Sequence, residues 1–264
     1  TGYVDDVMPS YGPDSHAIRF AGRDMTADLV DCSAIHKSGE WKGMGLLRIA
    51  RDLCETPFGI TVAADVDANE PFDRVTIEQG ETVFELLERL ARQRGVLLTA
   101  TGGGALLITR PGNDSMNTRL VEGENILGAE GAFSHRDRYS RYIAKGQGPG
   151  NDGWNGEDAA QPVAEVTDDG VRHRPLIVIS EENATPNNLA DRIGWEKSVR
   201  KARSTRATVT VQDWFVNGRL WQPNSRVYIH SPLLRLDQEV LISQVVFSKG
   251  EGGTTTQLSV TNTN

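Results

Sequence analysis

Two cysteines in 264 residues, Cys32 and Cys54, are too few for a disulfide framework or a four-ligand zinc site. No stretch approaches the roughly 20 consecutive apolar residues of a membrane-spanning helix, so an integral helical membrane protein is excluded and no membrane insertion is expected. The N-terminus shows no basic stretch followed by an apolar one, so no secretory signal is expected. Thr1 stands where an initiating Met would, and the chain reads as a piece of something longer. Positive charge is short as well. Lys and Arg number 28 against 36 Asp and Glu, a net charge of −8. Proteins that grip nucleic acid through its phosphates usually show the opposite balance, so no stable nucleic-acid binding is expected.

Chemical motifs are equally sparse. No Gly-x-Ser-x-Gly elbow marks a serine hydrolase. His16, His36, His135, His173 and His230 are scattered, without the spacing that brings two ligands to one metal. The glycines Gly102 to Gly104 join two apolar runs with strand character. A phosphate loop would need them before a helix N-terminus, so they read as a tight turn. Carboxylate pairs occur at Asp5-Asp6, Glu122 with Glu124, and Glu181-Glu182, all in polar surroundings. A glycosidase would need two such groups converging, one of them desolvated. The sequence therefore names no catalytic, cofactor-binding or metal residues, and no cofactor.

What is present is pattern. Ala17 to Phe20 alternates weakly and stops at Gly22, a strand. Thr26 is placed to cap a short helix from Ala27 to Cys32. Leu46, Leu47, Ala50, Leu53 and Cys54 fall on one face of a helical period, with Arg48, Arg51, Asp52 and Glu55 opposite; Pro57 and Gly59 end that helix. Both cysteines lie at apolar helix faces and read as small buried hydrophobes. Val75 to Ile77 is a strand, and Thr82-Val-Phe-Glu85 is a capping box. Behind it Val83, Leu86, Leu87, Leu90 and Ala91 form a buried stripe, with Glu88, Arg89, Arg92 and Arg94 outside. Val96–Ala100 and Ala105–Thr109 form a hairpin, which completes a β-α-β-β module.

Tyr139, Tyr142 and Ile143 belong to a strand. Residues 146–174 are rich in Gly, Asn and Asp, and read as a flexible loop. Trp154 within it either packs locally or meets a partner. Leu176–Ile179 is a strand, and a helix follows over 186–202. Its Arg192, Lys197, Arg200, Lys201 and Arg203 alternate with Asp191 and Glu196, the pattern of a solvated, salt-bridged face. Strands then recur at Thr208–Val211, Val227–Ile229, Val240–Phe247 and Thr256–Val260. Asn217-Gly218 forms a type I′ turn between Phe215-Val216 and Leu220-Trp221.

Several blocks are familiar as a set. They are Gly22 to Ala34, Trp41, Arg48 to Cys54, Gly80 to Glu85, Arg94 to Leu98, Glu122 to Leu127, Asp137 to Ser140, Lys145-Gly146, Arg174-Pro175, and Gly218 to Asn224. In collinear order they resemble the baseplate hub protein of Mu-like contractile-tailed phages, the tail protein P or late control protein D family, related to type VI secretion spike hubs. The resemblance implies an α+β fold, with β-barrel-like hub domains and an inserted β-α-β-β module. Residues 1–22 would be the remnant of an N-terminal β domain, and 23–112 one or more α/β modules. Residues 113–264 would be a mostly β hub domain, with the loop 146–174 and the helix 186–202.

The resemblance further implies a non-enzymatic homotrimer in the virion tail baseplate, assembled in the host cytoplasm. Its ring would adapt the sixfold tail tube to the threefold spike and let the genome pass during ejection. Its partners would be the spike protein and tail tube or distal tail proteins. The alternatives are a LysM-like peptidoglycan-binding module, resembled by the strand, Gly80-Glu-Thr82 turn and helix, and a tail-associated muralytic enzyme.

Overall fold

The computed structural model describes residues 1–112, 114–147, 162–183, 186–251 and 253–263, with the side chains of 147, 181–183 and 186–188 left out. The fold is α+β, and it divides into two compact units, Thr1–Arg110 and Pro111–Asn264.

The first unit opens with a long antiparallel hairpin, β1 (Gly2–Gly12) and β2 (Ser15–Asp24). α1 (Ala27–Asp31) follows. Thr26 does not cap it through its side chain; its N–H donates instead to Asp24 Oδ1 at 2.8 Å. Then come β3 (Glu40–Met44), α2 (Leu46–Phe58), β4 (Val62–Ala64), β5 (Phe72–Thr76), α3 (Val83–Gln93), β6 (Leu97–Ala100) and β7 (Leu106–Thr109). The predicted apolar faces of α2 and α3 make the core. Leu46, Ile49, Leu53, Leu86, Leu87, Leu90 and Ile108 are buried together. Gly45 begins α2 because a Cβ there would lie 2.7 Å from the Asn69 carbonyl oxygen, and Gly59 closes it in the left-handed region at φ 67°. The capping box is complete: Glu85 N–H donates to Thr82 Oγ1 at 3.2 Å, and Thr82 N–H to Glu85 Oε2 at 2.8 Å.

The β-α-β-β module is present as β5-α3-β6-β7, with β6 and β7 paired as the expected hairpin, while β5 pairs with β3 and β7 also takes β4. Two expectations change here. Cys54 is buried as expected, but Cys32 is exposed, because the chain turns to an extended conformation there and leaves the helix face. Arg89 is buried rather than solvated, its guanidinium held by Glu81.

The second unit is built on a six-stranded sheet of order β8-β16-β17-β18-β13-β9, in which only β8 and β16 run parallel. Its strands are β8 (Asp114–Val121), β9 (Ile126–Phe133), β13 (Thr205–Gln212), β16 (Ser225–Ser231), β17 (Leu236–Gly250) and β18 (Gly253–Asn262). Met116, Val209, Trp221, Ile229, Ile242 and Leu258 lie in its core. The short hairpin β14 (Phe215–Val216) and β15 (Arg219–Leu220) turns at Asn217 (φ 51°) and Gly218 (φ 76°), the left-handed pair that a type I′ turn requires. A three-stranded sheet, β11-β10-β12, comprises β10 (Arg141–Gln147), β11 (Val163–Thr167) and β12 (Pro175–Asn183). It packs against α4 (Pro186–Arg203) through Tyr142, Ala144, Leu189 and Ile193.

The expected flexible loop over 146–174 is corrected in part. Its second half is ordered, because β11 pairs antiparallel with β10 from Lys145↔Val163 to Arg141↔Thr167. Residues 148–161, Trp154 among them, lie outside the described set.

Candidate assembly surfaces

One polar cluster gathers three segments of the second unit around Tyr139. Tyr142, on β10, is fully buried, and its hydroxyl oxygen accepts the Tyr139 N–H at 3.0 Å. The two rings meet edge to face with centroids 5.9 Å apart. Guanidinium groups of Arg174 and Arg200 stand 5.1 and 5.3 Å from the Tyr139 ring centroid, where a cation meets the negative ring face. Arg174 also donates to the carbonyls of His135 and Arg136 at 2.9 and 2.6 Å. Arg138 forks onto Asp168, with Nε and Nη2 at 3.0 and 2.9 Å. On α4, Arg192 and Arg200 both donate to Glu196, at 2.7 and 2.6 Å.

The electrostatics leave these carboxylates ionised. Burial pushes the Asp168 carboxyl up, but Arg138 and the Gly170 N–H outweigh it and hold it below the usual range. Glu196 behaves likewise: burial raises it, and Arg192 and Arg200 bring it below its ordinary value. A general acid would need the opposite balance. The cluster joins residues 134–141, 168–175 and the C-terminal half of α4 through arginine contacts. The salt-bridged pattern expected of α4 is present as Arg192–Glu196–Arg200.

A second cluster shapes the turn between β16 and β17. Glu122 accepts from Ser231 Oγ at 2.5 Å and from the Leu233 N–H at 3.1 Å, so the turn is clamped while the Leu233 side chain stands 80% exposed. These two bonds, the Ser231 hydroxyl first, hold the Glu122 carboxyl below its ordinary value. Nearby, His230 Nδ1 lies 2.9 Å from Asp237 Oδ1, which also accepts the Tyr228 hydroxyl at 2.8 Å. The Ser231 beside this His–Asp pair is buried, and its hydroxyl is engaged by Glu122. Of the second cluster, sequence analysis singled out Glu122 and His230; of the first it named Tyr139, Tyr142, Arg174, Arg192, Glu196 and Arg200, but not their convergence. The partners come from distant strands, and the only local signal is the repeated Arg beside Tyr139.

The remaining motifs have structural occupations. Gly104 N–H donates to the Thr101 carbonyl at 2.9 Å, closing the turn between β6 and β7. In Gly80-Glu81-Thr82, Glu81 is held by Arg89 and Thr82 caps α3. His36 stacks on Trp41 with centroids 4.6 Å apart, and His16 lies beside Tyr11 at 6.5 Å. Asp5 pairs with Arg23, and the Glu181 and Glu182 side chains lie outside the described set. Among the described residues no three His, Cys, Asp or Glu side chains are disposed to hold a metal ion, and no helix is long and apolar enough to cross a membrane.

Comparison with known proteins gives these surfaces a context. The family described as baseplate hub protein gp44-like, second domain, matches residues 26–110, and the fourth domain of the Mu phage baseplate assembly protein GpP matches residues 185–264. The chain is 36% identical over 256 residues to baseplate hub protein gp44 of Escherichia phage Mu, spanning 93% of this chain and 67% of that one. The crystal structure of the 43 kDa tail protein of prophage MuSo2 from Shewanella oneidensis superimposes with a TM-score of 0.86 at 41% identity, covering 98% of this chain and 77% of that one. The E. coli c3393 protein, a component of the type VI secretion system, shares the fold at a TM-score of 0.58 and 10% identity, over 100% of this chain and 60% of that one. The two matched domains, the identity shared along nearly the whole chain and the fold together place this protein in the family of Mu-like phage tail baseplate hub proteins.

Proposed function

We propose that this protein is a structural, non-catalytic subunit of a homotrimeric ring at the tip of a contractile phage tail. The ring adapts the tail tube to the spike and lets the genome pass during ejection. Its partners are two further copies of itself, the spike protein, and tail tube or distal tail proteins. It holds no stable nucleic acid and inserts in no membrane. The observation that carries this reading is the 36% identity with the phage Mu hub along 93% of the chain.

The geometry supports it at one place in particular. The six-stranded sheet has two edges, β8 and β9. Along β9, seven of eight residues are exposed, and the strand carries neither Lys nor Pro, the usual guards of a free edge. Two unlike edges on one sheet suit the head-to-tail contacts from which closed rings are made. Residues 1–22 belong, on the same reading, to an N-terminal β domain of the hub.

Light scattering on the full-length protein at micromolar concentration and physiological salt is the test. A trimer is expected. A monomer under those conditions defeats the ring.

A further inference from the structure

One region of this acidic protein has the opposite sign. Residues 134–141, 168–175 and 195–206 carry ten Lys and Arg against four Asp and Glu, in a chain whose net charge is −8. The rest of the chain therefore stands at −14. The three segments are joined in space. Ser134 N–H donates to the Ser204 carbonyl at 2.8 Å, Arg174 reaches the carbonyls of His135 and Arg136, and Arg138 holds Asp168. Arg136, Arg172, Arg203 and Arg206 are exposed, and none of them has an ion pair among the described residues. Arg136 and Arg203 flank the bond between Ser134 and Ser204. The region continues the free edge of β9, whose last residue, exposed Phe133, pairs with Thr205.

Charge of one sign limits how copies can meet. A twofold contact sets a patch against itself, so through this region it would press like charges together. A head-to-tail contact sets it against a different patch, and the first unit carries one of opposite sign. Residues 60–73 contain no Lys or Arg, while Asp65, Asp67, Glu70 and Asp73 among them are all exposed. Glu70 pairs with Arg94, and Asp65 accepts the Thr109 hydroxyl. Asp67 and Asp73 have no cation partner among the described residues. A nine-residue loop of carboxylates fits the arginine region without passing beyond it. A nucleic-acid duplex would run on into the acidic remainder of the chain, which repels phosphate.

We propose that in the assembled hub the region around Arg136 and Arg203 docks on the acidic 65–73 loop of the next copy, so that charge fixes the head-to-tail order of the ring. This rests on the hub reading, which supplies the copies.

Sedimentation of the full-length hub over a range of concentrations, at about 0.15 M salt, is the test. Arg136→Glu/Arg203→Glu keeps its fold by circular dichroism, since both residues are exposed and unpaired, and its monomer–trimer midpoint rises at least ten-fold. Asp67→Lys/Asp73→Lys does the same. A chain carrying all four substitutions returns close to the unsubstituted midpoint, because every contact in its ring then has both signs exchanged. Added salt weakens assembly of the unsubstituted protein, mainly by slowing association. A trimer indifferent to both reversals overturns the proposal and leaves the ring standing. Weakened assembly that the fourfold variant does not restore overturns it too, since the two patches then do not face each other. Saturable binding of a labelled duplex, abolished by Arg136→Glu/Arg203→Glu, assigns the region to nucleic acid and overturns the docking. An unsubstituted protein that stays monomeric defeats ring and docking together.

Discussion

Arg89 lies in the helix position that periodicity assigns to solvent, yet it is buried against Glu81, with Nε 3.0 Å from Oε1 and Nη2 3.2 Å from Oε2. Its Nη2 also donates to the Thr76 carbonyl at 3.1 Å. Removing one member of such a pair strands the other charge in a poorly solvating place. Arg89→Ala should therefore lower stability by about 3 kcal/mol or more, measured by urea unfolding. A Glu81→Leu/Arg89→Met double variant should lose much less, since it leaves no buried charge without its counter-charge. An Arg89→Ala protein with an unchanged urea midpoint would return Arg89 to the solvent face.

Thr82 acts at shorter range. Its hydroxyl satisfies the Glu85 N–H, and Glu85 satisfies the Thr82 N–H in return. Thr82→Ala leaves the first of these donors without its partner and should cost about 0.5–2 kcal/mol in the same assay. Thr82→Ser should cost less than half as much.

Acid sensitivity of the second unit follows from Asp168 and Glu196, both held below their ordinary values of 3.8 and 4.5. As pH falls, the unfolded chain takes up these protons before the folded one does. Their contribution is full above about pH 4.5 and is lost progressively below it. Urea midpoints between pH 6 and pH 3 should hold steady and then decline. Asp168→Asn should flatten the decline while lowering the plateau, because Arg138 loses its counter-charge. A decline of unchanged steepness in that variant would show that Asp168 is not one of the groups responsible.

The two thiols should separate by reactivity. Cys32 is exposed, whereas burial, aided by the adjacent Glu55 charge, pushes the Cys54 thiol up to about 12. A colorimetric thiol titration at pH 8 should find one reactive group per chain in the native protein and two in denaturant. Rapid reaction of both in native buffer would contradict the packing of α2.

Duplex DNA should not bind. The net charge of −8 is repulsive within a Debye length of about 8 Å. Two of the arginines near the end of α4 are already engaged, Arg138 by Asp168 and Arg200 by Glu196. Titration of a labelled duplex at about 0.15 M salt should give no saturable signal in the range of roughly 10⁻⁴–10⁻⁶ M where non-specific binders work. Micromolar binding that weakens steeply with added salt would show a phosphate track.

Residue patterns were enough to locate α2, α3 and the Asn217-Gly218 turn, because the interactions behind them span only a few residues. A 3.6-residue stripe buries one helix face, a cap closes across three residues, and a left-handed pair reverses the chain. The collinear blocks from Gly22 to Asn224 also carried the family. Other features depended on groups brought together from far along the chain. Arg138 and Asp168 are 30 residues apart, and Gly112 bonds to Asn224 across 112. The order β8-β16-β17-β18-β13-β9 follows from strand pairings, and no single strand encodes its neighbours. β1 shows the same limit, since Val7-Met8-Pro9 does not alternate and a bulge at Val4/Asp6 shifts the register. Arg89 was misplaced for a related reason: periodicity sends a charge outward, and only an opposite charge delivered by the fold, here Glu81, makes its burial tolerable.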